Sequence, residues 1–332
     1  MNYNSNKIQS AFTKYLLRNN VVLLGMLSLL IIGLFLSTNT FATAGAIRTI
    51  LINMTQRGVL AIGVSLVILT GNIDLSVGSI IGVSSILSAL IFSIPFFSFN
   101  PASTLFGIFI VLIIGGILGS INGLFAVSLG INSIIVTLAT MAIFRGLAYT
   151  FLGGNILYIT NPFYLKIGRT FIGDIVPATV LMLFILFLLL FVFVERTKFG
   201  RNFKVAGANE KVAFTFGIKV KNIKFIAFII SGVLAALSGI IMCSQIGAGA
   251  PEYGKEAHID AIIIPVIGGF SLKGGKGNIS GLFIALIIIE VFTIGFVLLG
   301  WSFFLRQISR GVILIMVLVF DVIREKKLIQ VQ

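Results

Sequence analysis

Charge is scarce in this sequence. Only 10% of its 332 residues are Asp, Glu, Lys or Arg, where an ordinary soluble domain has about 25%. With 58% hydrophobic residues and a mean hydropathy of +1.14, that deficit excludes a soluble globular class. A single cysteine, Cys243, excludes a disulfide within the chain, and its apolar surroundings mark a packing residue. The single histidine, His258, excludes a histidine-based metal cluster. No acid pair at catalytic spacing and no nucleophile motif is present, which argues against a membrane enzyme. A phosphate loop of the form G-x-x-x-x-G-K-[ST] is also missing. The nearest stretch, GFSLKGGK (269–276), has one glycine too many and no following Ser or Thr. The strict polar–apolar alternation of a transmembrane barrel does not occur either.

Apolar runs near 20 residues recur instead along the whole chain, the length needed to cross a hydrocarbon core of about 30 Å. Spans are predicted at 20–38, 53–70, 76–96, 103–129, 132–152, 176–194, 222–244, 257–269, 280–300 and 304–323. The fold class is therefore all-α: one polytopic membrane domain over residues 1–332, with about ten transmembrane segments (eight to ten). The segment 257–269 is short for a crossing and contains Asp260 and Pro265, so a broken or half-inserted helix is expected there. Residues 21–37 followed by Ala42-Thr43-Ala44 resemble a signal peptide, but the apolar run is longer than a signal core and reads as a retained first helix.

The formal charge of +14 does not point to nucleic acid, because no basic stretch forms a domain of its own. Its Lys and Arg gather in the first 18 residues, in 196–224, in 273–276 and at the C-terminus. With both termini cytoplasmic, 15 of the 24 basic residues fall in cytoplasmic segments, as the positive-inside rule requires. The long external loop between the fifth and sixth spans carries only Lys166 and Arg169 against Asp174.

Glycines at 115, 119 and 123 line one helix face, and SGVLAALSG offers Gly232 and Ala236 at the same spacing. Both read as close-packed helix contacts. SINGLF (120–125) and NISGLF (278–283) are alike, each preceded by an Ile-Asp pair, a hint of internal duplication. Asp74, in LVILTGNIDLSVGSIIG, is a carboxylate between two apolar runs whose nearest basic residue in the chain is Arg57. At the junction of two spans its side chain can accept the first N–H groups of the next helix, or it can touch a transported ligand; both readings stand.

The segment 195–221 is the largest polar stretch beyond the N-terminus. Asn209 is placed to cap a short helix, Glu210 lies at that helix's positive end and Gly217 closes it. Val212, Ala213 and Phe216 share one helical face, giving an apolar stripe with a small residue in it, suited to a groove on another protein. VAGANEKVAFTFGI resembles the coupling-loop motif of bacterial ABC importer permeases, with its Glu, Ala and Gly at Glu210, Ala213 and Gly217. GNIDLSVGS (71–79), NSIIVTLATMAIFRGLAY (132–149), ERTKFGRNFKVAGANE and VIGGFSLKGGKGNISG (266–281) resemble, in order, blocks of the ribose-type sugar permeases. Lys211 and Val212 depart from the motif's usual acidic residue and alanine.

The resemblance implies a permease subunit of a bacterial inner-membrane importer. It binds no cofactor itself and depends on a cytoplasmic ATP-binding subunit, an extracytoplasmic sugar-binding protein and a second permease subunit, identical or not, within the lipid. No nucleic-acid partner is implied. Gly207, Asn209, Glu210, Ala213 and Gly217 form the expected coupling loop. Asp74, Ser76, Asn122, Asn132, Thr137 and Asp260 are the polar candidates for the path of a monosaccharide. A branched-chain amino-acid permease is the alternative of the same architecture. An ion-coupled transporter using Asp74, Asp260 and Glu290 as carriers is the alternative of a different class.

Overall fold

The computed structural model describes residues 19–98 and 100–329. It is mostly helical. The helices are α1 (Asn19–Ser37), α2 (Ala44–Leu69), α3 (Val77–Ser93), α4 (Pro95–Ser98), α5 (Pro101–Gly123), α6 (Ser133–Leu152), α7 (Pro162–Arg169), α8 (Ala178–Phe191), α9 (Lys198–Ala208), α10 (Glu210–Thr215), α11 (Val220–Ile246), α12 (Ala257–Ile267), α13 (Ile279–Leu298) and α14 (Phe303–Ile329). Single π-turns extend α5 through Leu124–Ser128 and α8 through Val192–Arg196. Two ladders of two residues each qualify the all-α expectation: Leu157–Tyr158 pairs with Ala248–Gly249, and Phe171–Ile172 with Val176–Pro177.

Each of the ten predicted spans coincides with a helix, and among the described residues six of these are long and apolar enough to cross a membrane. The largest boundary difference is in α2, which starts nine residues before its predicted span. Its polar opening turns are set by Thr43, whose hydroxyl accepts the Ala46 N–H, and Arg48 covers the Phe171 ring at 3.7 Å. As expected, α12 is short: its 11 residues span about 16 Å, roughly half a hydrocarbon core. The irregular chain that leads from the Ala248–Gly249 ladder into it starts buried in protein at Ala250, where unpaired backbone is tolerable.

The core is built around α2 and α11. From Gly58 to Leu69 every residue of α2 is buried, the pattern of a helix enclosed on all sides. α11 lies against α5, α2 and α3. The two small-residue motifs meet each other: a Cβ added to Gly115 would stand 2.4 Å from Ala236 Cβ, and one added to Gly232 2.2 Å from Gly115 O. Backbones this close bring dispersion contacts that lipid cannot supply. α1 closes one side of the bundle, with Asn20 donating to Ser280 Oγ at 2.8 Å and accepting from Asn278 at 2.6 Å. Large apolar residues such as Leu29, Leu36, Phe109 and Leu188 point outward, as lipid-facing positions do. SINGLF runs along the end of α5 and NISGLF opens α13, so the two similar stretches occupy opposite helix ends.

Substituting Gly232→Ala should lower stability by about 1–3 kcal/mol through overpacking. Gly146→Ala, where a Cβ has no neighbour within 4 Å, should leave stability unchanged or slightly raised. Thermal unfolding of the two variants in detergent measures the contrast.

Candidate functional site

Between α2 and α3 the chain breaks at Thr70–Ser76, and Asp74 lies there fully buried. Its Oδ1 accepts the Ser76 N–H at 3.0 Å and the Ser76 hydroxyl at 2.7 Å, while Oδ2 accepts the Ser231 hydroxyl of α11 at 2.9 Å. Asn122 of α5 donates to Ser76 Oγ at 2.7 Å and accepts from Thr140 of α6 at 2.6 Å. One chain of hydrogen bonds thus ties α3, α5, α6 and α11 to the break. The helix-cap reading of Asp74 needs correction. The residue capping α3 is Ser76, whose side chain makes no cap bond, and Asp74 instead closes a local turn one residue before the helix. Among the described residues no ion pair reaches Asp74, so hydroxyls and an N–H satisfy it without a cation.

The other path candidates divide. Thr137 donates to its own helix at Ser133 O, 2.8 Å. Asn132 is an exposed cap of α6, accepting the Ile134 N–H at 2.9 Å. Asp260 belongs to a second cluster, which the sequence reading did not assemble. Arg57 of α2 reaches Asp260 of α12 at 2.9 Å and Glu290 of α13 at 2.6 Å; Arg310 of α14 stands 3.3 Å from Glu256 and 3.9 Å from Asp260. Glu290 is fully buried and Asp260 nearly so. The available signal was complementarity: intramembrane Arg57 and Arg310 balance intramembrane Asp260 and Glu290, although more than 200 residues separate Arg57 from either acid.

The segment 195–221 is more ordered than a loop. The helix α9 precedes the expected short helix α10, and Thr197 caps it by accepting the Gly200 N–H at 3.0 Å. Asn209 caps α10 as the sequence indicates, accepting from the Lys211 and Val212 N–H groups at 3.0 and 3.1 Å. Gly217 ends it with φ +73°. Glu210 pairs with Lys224 of α11 at 2.5 Å. The apolar stripe is differently composed from the one expected: Ala213 is fully buried against the protein, while Phe214 (79% exposed), Phe216 (76%) and Val212 (44%) face outward. Ala213 is thus the seat of the helix and not part of its exposed face.

α9 is seated in the core by the buried Phe203 and Ala206, and its end meets α2 through backbone. Gly275 N donates to Leu69 O at 2.9 Å. A Cβ on Gly207 would stand 2.0 Å from that same carbonyl, and one on Gly274 would stand 2.6 Å from Gly71 N. The end of α2 therefore meets the end of α9 and the turn 268–277 through backbone, with only the Ala208 methyl set between α9 and Gly275, three residues before Asp74.

Asp74→Leu leaves two hydroxyls and an N–H without their acceptor, each worth about 1–3 kcal/mol. It should abolish recovery of folded protein. Asp74→Asn keeps an acceptor at Oδ1 and presents an amide to Ser231, and should remain folded. Size-exclusion profiles in detergent distinguish the two.

Comparison with known proteins follows the same lines. Residues 46–320 match the family described as branched-chain amino acid transport system / permease component. The ribose import permease protein of Bacillus subtilis is 37% identical over 90% of this chain and 91% of its own. That of Escherichia coli K12 is 32% identical over 93% and 95%. The L-arabinose ABC transporter permease protein of Azospirillum brasilense is 29% identical over 89% and 85%. No solved structure matches. A helical bundle of membrane-crossing length and sequence likeness over nine-tenths of the chain lead to one conclusion: this protein belongs to the branched-chain amino acid transport system / permease component family.

Proposed function

We propose that the chain is the membrane-spanning permease subunit of an ATP-binding-cassette importer that moves a monosaccharide delivered by an extracytoplasmic binding protein. The subunit transports and does not catalyse; ATP is bound and hydrolysed by a cytoplasmic partner. Two permease subunits, identical or different, form the complete membrane unit in the bacterial inner membrane. In this reading α12 and the chain leading into it count together as one of ten passages, and both termini lie in the cytoplasm, on the side of α9, α10 and the turn 268–277, whose segments carry Lys198, Arg201, Lys204, Lys211, Lys273 and Lys276.

One observation carries the ATP-coupled reading: α10 exposes Phe214, Phe216 and Val212 to solvent on a helix that is capped, ended by glycine and seated by Ala213. A helix of six residues has little stability alone, and exposed aromatic residues on a polar segment are costly unless a partner covers them. Gly207, Asn209, Glu210, Ala213 and Gly217 build and seat this contact, and Gly207 passes its displacement to α2 by direct backbone contact. Sugar is favoured as cargo because three of the relatives above carry ribose or arabinose in their names. A hydroxyl-bearing path through Asp74, Ser76 and Asn122 suits a neutral polyol, with Thr137 beside it at Ile73 O; Asn132 and, beside Arg57, Asp260 are candidates elsewhere along the path. Asp260 and Glu290 are held by Arg57, which argues against their service as free ion carriers.

Co-expression with the nucleotide-binding subunit tests the reading. The wild-type chain should co-purify with it and take up sugar in proteoliposomes only with ATP and the binding protein. Glu210→Lys, which sets a cation against Lys224, and Gly217→Trp, which forces a bulky side chain into a positive-φ position, should each reduce co-purification at least tenfold. Uptake that persists without any ATPase and collapses with the proton gradient would contradict it.

A further inference from the structure

Midway along α2, the helices α2, α12, α13 and α14 enclose a polar cleft. Arg57 lies 12 residues from Leu69, about 18 Å along the helix. A cavity of about 230 Å³ opens against Asn53, Arg57, Glu256, Gln307 and Arg310, and a second of about 170 Å³ shares Arg57, Glu256 and Arg310 and adds Asp260. The volumes suit a ligand smaller than a drug-sized molecule.

Its hydrogen-bonding capacity is only partly used. Arg57 engages Asp260 and Glu290 through Nε and Nη1, leaving further N–H groups of its fork. Gln307 donates to Glu256 Oε1 at 2.6 Å, which leaves its carbonyl as an acceptor. The Asn53 amide and the Arg306 guanidinium line the cleft and make no hydrogen bond or ion pair among the described residues. Glu290 Oε1, fully buried behind Arg57, has no partner there either. Asn53 and Arg306 are half-buried and Gln307 is exposed, so the cleft opens to the surface with donors and acceptors free for a polar occupant, above the buried Glu290 carboxylate.

The charge balance identifies its class. Arg57, Arg306 and Arg310 face Glu256, Asp260 and Glu290, three cations against three carboxylates. At the rim Lys255 is paired with Glu252 at 3.2 Å. A site balanced in this way does not select an ion of either sign. It presents donors and acceptors in alternation, as vicinal hydroxyls require, and the Phe303 ring on its wall gives the C–H face of a pyranose or furanose an apolar surface. We infer that this cleft is a monosaccharide-binding station on the transport path, on the side of the membrane away from the ATP-coupling helix, with Asn53, Gln307 and the Arg57–Asp260 pair contacting sugar hydroxyls. The inference rests on the sugar-import reading above and adds to it a site and its residues.

The test uses the assembled importer in proteoliposomes, with D-ribose and 2-deoxy-D-ribose as probes at matched concentrations. Asn53→Leu, Gln307→Ala and Arg306→Gln remove cleft groups without touching the Arg57 ion pairs, and assembly of each variant is checked by co-purification with the nucleotide-binding subunit. Loss of one good hydroxyl contact should lower ribose uptake about tenfold. 2-Deoxyribose uptake should fall less for at least one variant, changing the ratio between the two sugars at least threefold. A general packing defect would scale both sugars alike. Assembled variants that transport both sugars at wild-type rates, or lose both in equal proportion, overturn the site. A wild-type importer that takes up neither these nor other monosaccharides overturns the sugar reading itself, and the site with it.

Discussion

In hydrocarbon no water is available to screen a charge, so a charged side chain persists there only with its partner beside it. The pairing of Arg57 with Asp260 and Glu290 is that constraint at work, and much of the architecture follows from it. It fixes α2 against the short α12 and against α13. Arg310, reaching toward Glu256 and Asp260, brings α14 to the same point. The irregular chain before α12 can lie within the bundle because it is covered by protein. The same rule governs the uncharged network around Asp74, where hydroxyls and an amide replace the missing cation.

α2 emerges as the spine between two functional sites. At its middle, Gln56 and Arg57 line the polar cleft. Its last carbonyls contact Gly207 and Gly275 backbone to backbone, and the break that follows holds Asp74. A displacement of α9 cannot be absorbed by a flexible side chain at Gly207, because none lies there. A rigid backbone contact of this kind would carry a small movement of α9 into the core, where the hydrogen-bond chain Ser231–Asp74–Ser76–Asn122–Thr140 joins four further elements. The arrangement suits the proposed transporter, with energy entering at the glycine junction and cargo held in the cleft midway along α2.

Much of the helical framework was legible in the sequence, because spans of about 20 apolar residues leave few alternatives in a membrane. Asn209 and Gly217 were legible for a local reason: cap and stop signals depend on the backbone of adjacent residues. The pairing of Gly115 and Gly119 with Gly232 and Ala236 was half-legible, since spacing shows that a face is small and not which face it meets. The hydrogen-bonding of Asp74 was misassigned by one residue, because the side chain turned back on Ser76 before the helix began. The ion cluster and the cleft escaped because their members lie in four separate segments, and long-range register has no signature in one sequence. Ala213 was placed outward because periodicity reveals a face and not its direction.

A double-mutant cycle on the Arg57–Glu290 pair tests the governing constraint most directly. Thermal unfolding in detergent of Arg57→Met, Glu290→Leu and the double variant yields the coupling between them. If the charges exist to compensate each other, each single change strands a buried charge, and the double change should cost less than the sum by about 1–3 kcal/mol. Losses that add, with no recovery in the double variant, would contradict the account.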